Sequence, residues 1–309
     1  MKRGVAYAVL AGAVWGLAIV VPSLLPEFSP LMLSCARFTL YGAFSLFLAA
    51  PQARELLQRL TWSDALLLVK LALTGNLIYF MLLASAIQWA GVASTALIVG
   101  LLPLTITLAG RGDADAIPLR HLRWPLLLVF GAICCINLDT LLTAQGDSPE
   151  LGQRALGLLC AFGALLCWTW FARDNARYLK SSRFDSGQWS TLWGITTGLM
   201  SALVWLLAQG LDLPGTRVEA SEQRWMLFWG LSLASAVLGS WFGNRMWNAS
   251  TRRLPLTLSG QLIVFETLFA LLYGFICLHH LPNLLQASAA LLLLAGVLWA
   301  VRRHLPQAH

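Results

Sequence analysis

The sequence predicts an all-α polytopic membrane protein: ten transmembrane helices arranged as a 5+5 inverted repeat, with both termini cytoplasmic. Three observations lead there. Of 309 residues, 58% are hydrophobic and only 11% charged, against about 25% charged in ordinary soluble proteins. From Leu71 to Gly110 the chain carries no Asp, Glu, Lys or Arg, a length that at about 1.5 Å per helical residue needs two passes through a bilayer. The basic residues come in small groups at the ends of apolar stretches, so the formal charge of +7 reads as membrane topology and gives no sign of a nucleic-acid partner.

Apolar runs broken by Pro, Gly or charge place the spans at about 4–22, 29–50, 65–86, 92–110, 122–138, 155–172, 186–208, 225–247, 255–277 and 281–301. The connections are short and leave no room for a soluble domain. Lys2 and Arg3 precede an apolar stretch without a convincing small-residue cleavage site, which predicts that the first span stays attached. With the N-terminus cytoplasmic, 16 of the 21 basic residues fall on the inner side, and only Arg154, Arg217 and Arg224 on the outer. The positive-inside rule therefore selects this orientation, in a bacterial inner membrane.

The two halves, 1–143 and 144–309, can be laid over each other within one membrane domain. Residues 75–118 match 239–282 at a constant offset of 164, pairing Gly75 with Gly239, Gly110 with Gly274 and Pro118 with Pro282. An offset of 153 pairs Gly4 with Gly157 and Trp15 with Trp168, and one of 156 pairs Phe28 with Phe184 and Gly42 with Gly198. Five spans per half is an odd number, so the second half enters the membrane the opposite way up. Secondary carriers use such an inverted repeat to expose a midplane site to each side in turn.

Several motifs follow this order. AVWG (Ala13 to Gly16) opens the first half, and ARF (Ala36 to Phe38) lies in the second span. GLLCAFGALLCWTW (Gly157 to Trp170) repeats the opening, followed by VFETLFALLYG (Val264 to Gly274) and LLLLAGVLWAVRR (Leu291 to Arg303). In this arrangement the chain resembles the drug/metabolite transporter superfamily, specifically its EamA-type members, over nearly its whole length. That resemblance implies a ten-helix carrier of small organic solutes, commonly outward. The family's Glu-Pro step is divided here. LLPL (Leu101 to Leu104) keeps Pro103 but has Leu102 for the acid, and the second copy keeps Glu266 but has Thr267 for the proline.

Glu266 lies near the centre of its span, where an acidic residue costs on the order of 3 kcal/mol on insertion scales. Either it faces a cavity and meets a substrate cation or exchanges a proton, or it stays protonated or clamps neighbouring helices through a hydrogen bond. Ser259, Glu266 and Tyr273, spaced by seven, share one face of an unbroken helix, and Gln261 points elsewhere. Arg37 lies roughly 12 Å deep at helical rise; it braces helices, pairs with Glu266 or binds a substrate carboxylate. Lys70, nearer the inner surface, is expected to snorkel. Asn76, Tyr79 and Asn244 are midspan or inner polar groups suited either to helix-to-helix bonding or to a cavity wall. Trp62, Trp89, Trp124, Trp189, Trp225 and Trp299, near span ends, read as interfacial anchors. Trp15, Trp168, Trp193 and Trp241 lie deeper, where they fill gaps or stack on a solute.

The six cysteines sit in apolar segments without CxxC spacing, and neither a Walker loop, HExxH nor G-x-S-x-G occurs. No catalytic residue, metal site or cofactor is therefore expected. His279 and His280 read as surface residues. The resulting expectation is a secondary transporter of an amino acid or amphipathic metabolite or drug, exporting by alternating access. Its partners are the small-molecule substrate, the bilayer and, in one reading of Glu266, protons. The rivals are an intramembrane enzyme acting on a lipid or lipid-linked substrate, and a membrane sensor or scaffold.

Overall fold

The computed structural model describes residues 1–143, 151–278 and 282–304, all helix and connecting turns with no strand among them. His279 and His280 lie outside the described residues. The elements are α1 (Lys2–Leu24), α2 (Pro30–Ala49), α3 (Ala53–Arg59), α4 (Trp62–Ala72), α5 (Ile78–Val99), α6 (Leu102–Ala109) and α7 (Leu119–Thr143). After them come α8 (Leu151–Ser181), α9 (Ser186–Gly210), α10 (Glu222–Ala234), α11 (Gly243–Thr251), α12 (Leu256–Leu262), α13 (Val264–Leu278) and α14 (Leu284–His304). Two π-helical segments, Leu73–Leu77 and Ser235–Phe242, join α4 to α5 and α10 to α11. Among the described residues, seven helices are long and apolar enough to cross a membrane.

Local chemistry explains the helix starts. Ser29 caps α2, its Oγ accepting from Met32 N at 3.1 Å with Pro30 in the first turn. Thr61 and Asp64 form a capping box at α4, as do Asp185 and Gln188 at α9. Along α9, Leu199, Leu203 and Leu206 face outward while Thr191, Thr197 and Ser201 are buried. That is the reverse of a soluble helix and the pattern expected where lipid surrounds the bundle.

The residues from Trp62 to Ala109 fold back on themselves against α8. Backbone atoms of Trp89 and Ala90 lie against Gly157 near the start of α8, and Phe171 farther along packs on Gly75. Beyond the reversal, the Thr105 and Thr169 hydroxyls share a hydrogen bond of 2.8 Å, and Arg177 pairs with Asp113 at 2.7 Å. Elsewhere α1 packs on α11 and α13, α2 on α9, α6 on α12 and α7 on α14. The α2–α9 crossing is the tightest: a Cβ on Gly198 would lie 2.4 Å from the Gly42 Cα, and one on Gly42 2.6 Å from the Gly198 Cα. Only two glycines permit that approach.

The start of α1 lies against Arg253 and Leu254, and His304 Nε2 lies 3.2 Å from Thr257 Oγ1, so α1 begins and α14 ends at one end of the bundle. This terminal end is laced by ion pairs. Lys70 bonds Asp174, Arg183 reaches the buried Asp64 at 3.0 Å, and Lys180 reaches Asp115. Lys70, expected to snorkel, is half-exposed at this end, where it pairs with Asp174 of α8 and lies over the Trp170 ring. Trp189, expected at an interface, is fully buried between Tyr178 and Phe184, and its indole donates to Asn175 Oδ1 at 2.9 Å. Its buried amide partner on another helix outweighs the interfacial preference of an indole. At the far end, Arg224 on α10 donates to Glu27 at 2.8 Å and to the Leu24 carbonyl at 2.8 Å.

Gly198→Leu is expected to force α2 and α9 apart and to destabilise the fold by about 1–3 kcal/mol, the cost of overpacking, read as a fall in the unfolding temperature of the detergent-purified protein. The far-end clasp carries a pH signature. The Arg224 hydrogen bond holds the Glu27 carboxyl below its ordinary value, so its contribution is present above the unfolded carboxyl's pKa and is lost as pH falls through the lowered folded value. The difference in unfolding temperature between the protein and Glu27→Gln is therefore expected at neutral pH and is expected to vanish in acid.

Candidate functional site

A cavity of about 590 Å³ occupies the middle of the bundle. Its floor is formed by Trp168, Phe171, Trp193 and Asn244, and it extends toward the far end as far as Pro30, Ile87 and Ser232. The walls are mostly apolar and aromatic, with a few polar groups converging on them, as in small-molecule sites generally.

Glu266 reaches this cavity because the helix is broken beneath it. Between α12 and α13 the chain makes a single tight turn at Ile263, whose carbonyl accepts from Glu266 N at 3.0 Å. Gly12 and Gly16 of α1 let the α13 backbone approach, since a Cβ at Gly12 would lie 2.9 Å from Glu266 N and one at Gly16 3.0 Å from Glu266 O. The carboxylate is partly accessible and has no hydrogen-bond partner among the described residues.

Arg37 enters from α2. Its Nε donates to Ser240 Oγ at 2.9 Å, and its guanidinium lies 5.6 Å from the centre of the Phe38 ring. Ser240 belongs to the second π-helical segment, whose widened turn also presents the Gly239 carbonyl to the Trp15 indole at 2.9 Å. The first such segment carries Gly75 and Asn76 into the cavity wall, and Asn76 Nδ2 donates to Thr197 Oγ1 at 3.1 Å. Arg37 and Glu266 thus share one chamber, and no ion pair joins them among the described residues.

Of the residues singled out by sequence, Glu266, Arg37, Asn76, Tyr79, Asn244, Trp15 and Trp168 all line the cavity. The other four do not. Ser259 is fully buried, because the turn at Ile263 rotates α12 out of register with α13 and the seven-residue spacing no longer selects one face. Tyr273 stacks on Phe269. Gln261 is buried with its Nε2 on the Thr257 carbonyl at 3.4 Å. Trp241 donates to Thr191 Oγ1 at 3.0 Å and packs edge-on against Phe44. The structure adds Ser34, Ser232, Ser235 and Ser240. The spacing of Ser34, Arg37 and Tyr41, and of Ser232 and Ser235, at helical intervals within apolar spans was the available signal.

The EamA-like transporter family matches residues 2–112. Over its length the chain is 34% identical to the inner membrane protein YtfF of Escherichia coli K12, covering 98% of this chain and 96% of that protein. The chain belongs to the EamA-like transporter family. Its fold is shared with a protein of known crystal structure, which superposes with a TM-score of 0.76 at 17% identity over 98% of this chain and 97% of the other. Family membership points to a membrane transporter rather than to an enzyme.

Proposed function

We infer that the protein is a ten-helix secondary transporter of the inner membrane, with cytoplasmic termini, that moves a small organic solute by alternating access. The reading is carried by one observation: a carboxylate and a guanidinium face the same largely apolar cavity without bonding each other. A solute with both a cationic and an anionic group, such as an amino acid, satisfies both charges at once, and the Trp15, Phe80 and Trp168 rings accommodate an apolar or aromatic body. Export is the direction the family favours. Glu266 then either meets the solute's amine or exchanges a proton during the cycle.

The inverted repeat is supported by the cavity. Trp15 and Trp168, Arg37 and Trp193, Asn76 and Ser240, Phe80 and Asn244, and Leu102 and Glu266 are pairs related by the sequence offsets 153, 156 and 164. All ten residues line it. The π-helical segments fall at matching positions, and Gly42 meets its own counterpart Gly198. A pseudo-two-fold axis through the cavity explains all three. The fold-back of Trp62–Ala109 against α8 supplies two passes, in keeping with ten.

Purified protein in liposomes is expected to carry one or more zwitterionic solutes from a panel, assayed at two pH values with and without an imposed proton gradient. Glu266→Gln is expected to abolish flux while the folded protein keeps its normal abundance. Full flux in that variant overturns the role of Glu266, and a panel with no flux under any condition overturns the transport reading.

A further inference from the structure

The repeat that accounts for the cavity also specifies what lies beneath it. Residues whose counterparts share the cavity sit near the axis. Val21 and Pro30 line it at the far end with counterparts, Asp174 and Ser186, that are partly exposed, and others on that side line it alone: Leu33 and Ser34 of α2, and Leu83, Ala84 and Ile87 of α5. Offsets of 156 and 164 carry these to Trp189, Ser190, Trp247, Asn248 and Thr251. Every one of the five is sealed, at 1% exposure or less, on the terminal side of the cavity floor.

This sealed set is polar where a packed core would be apolar. Trp189 Nε1 donates to Asn175 Oδ1 at 2.9 Å, Asn175 Nδ2 to Asn248 Oδ1 at 2.8 Å, and Asn248 Nδ2 to Ser190 Oγ at 2.8 Å. The Ser190 carbonyl accepts from Tyr41 at 2.7 Å, and Tyr41 in turn accepts from Asn244 of the cavity floor at 3.5 Å. Beside this chain, the indole nitrogens of Trp193 and Trp247 and the hydroxyl of Ser250 are buried with no hydrogen-bond partner among the described residues. A buried polar group left unbonded destabilises the state that holds it, and so favours a state in which it finds a partner. Water or solute supplies that partner if the sealed zone opens.

We propose that Trp189, Ser190, Trp247 and Asn248 line a second, terminal-side half of the solute path, held shut in this state by the Trp189–Asn175–Asn248–Ser190 hydrogen bonds. The proposal rests on the alternating-access reading and adds to it the residues that the solute passes on that side. Lys70–Asp174 and Arg183–Asp64, which tie α4 to α8 and to the turn after it, close the same end.

Ser34 and Ser190 are repeat counterparts of the same residue type and provide matched reporters. In the full-length chain with its native cysteines replaced by alanine, Ser34→Cys or Ser190→Cys is treated with a membrane-impermeant maleimide in right-side-out and inverted vesicles. Asn175→Ala removes two bonds of the network. It is expected to raise modification of the position-190 thiol from the terminal side by roughly tenfold or more, the shift that the loss of two hydrogen bonds of modest net strength gives a two-state equilibrium. Modification of the position-34 thiol from the opposite side is expected to fall in parallel. If the position-190 thiol stays unreactive from both sides, with and without Asn175→Ala, the second lining is overturned. A rise at position 190 with no fall at position 34 upholds the lining but overturns alternation. Should Asn175→Ala not yield folded protein by size-exclusion chromatography, Trp189→Phe, which deletes a single donor, takes its place with the same expected pattern.

Discussion

A carboxyl group and a guanidinium are held inside one largely apolar chamber and kept from closing on each other. Most of the irregular structure in the bundle serves that constraint. An acid at the centre of a span is disfavoured by about 3 kcal/mol on insertion scales, and direct pairing with Arg37 would relieve much of it. Instead Arg37 is drawn to Ser240 on the second π-helical segment, and Glu266 is placed by the turn at Ile263 and by the close approach of Gly12 and Gly16. Widened turns and breaks leave backbone groups less well satisfied, and they persist in a membrane protein where they border a polar cavity. Both π segments and the break do so here.

The fold was legible because lipid imposes so strong a filter on sequence. Forty uncharged residues and the spacing of the basic groups follow from solvent physics alone, and seven of the cavity-lining residues were found as polar or aromatic groups in improbable surroundings. The misses share a cause. Ser259 and Tyr273 were placed on the face of Glu266 by assuming a straight helix, but the turn at Ile263 has no Pro to announce it; Pro255 only starts α12, and Gly260, inside α12, packs closely on Ile106 and Thr107 of α6. Trp189 lies near a span end by count, yet its side chain is buried against Tyr178 and Asn175, partners that only tertiary structure brings together. Asp64, which carried no sequence signal of its own, accepts from Tyr178 at 2.6 Å and from Arg183 and is buried.

The bundle is unequal end to end. Toward the far end the cavity reaches Pro30, Ile87 and Ser232, and the Glu27–Arg224 contact ties α10 to the turn after α1. Toward the termini, ion pairs, the rings stacked about Trp189 and the Asn175–Asn248 network fill the corresponding volume. Hydrogen bonds buried in a dry zone are individually stronger than the same bonds in water, but each must be traded for water contacts when the zone opens, so their net contribution is modest. A seal made of such bonds is specific in geometry without being prohibitively stable. A seal of interlocked leucines would gain more from burial and would resist opening more.

Symmetry and chemistry are divided between the two halves. Under the repeat, the counterpart of Glu266 is Leu102 and that of Arg37 is Trp193, and all four line the cavity. Each pair therefore contributes one charge and one apolar residue. If both copies carried the acid, two carboxylates would face each other across the axis, and mutual repulsion would favour keeping one of them protonated. With a single acid and a single guanidinium the chamber is chemically asymmetric, and in the inferred mechanism a zwitterionic solute would bind in one preferred orientation. Because the four positions surround the axis, exchanging the conformations of the two halves leaves the charges at the cavity and changes only which vestibule leads to it. In the mechanism inferred here, the duplicated scaffold supplies two states of comparable stability, and the divergence of two pairs supplies the recognition.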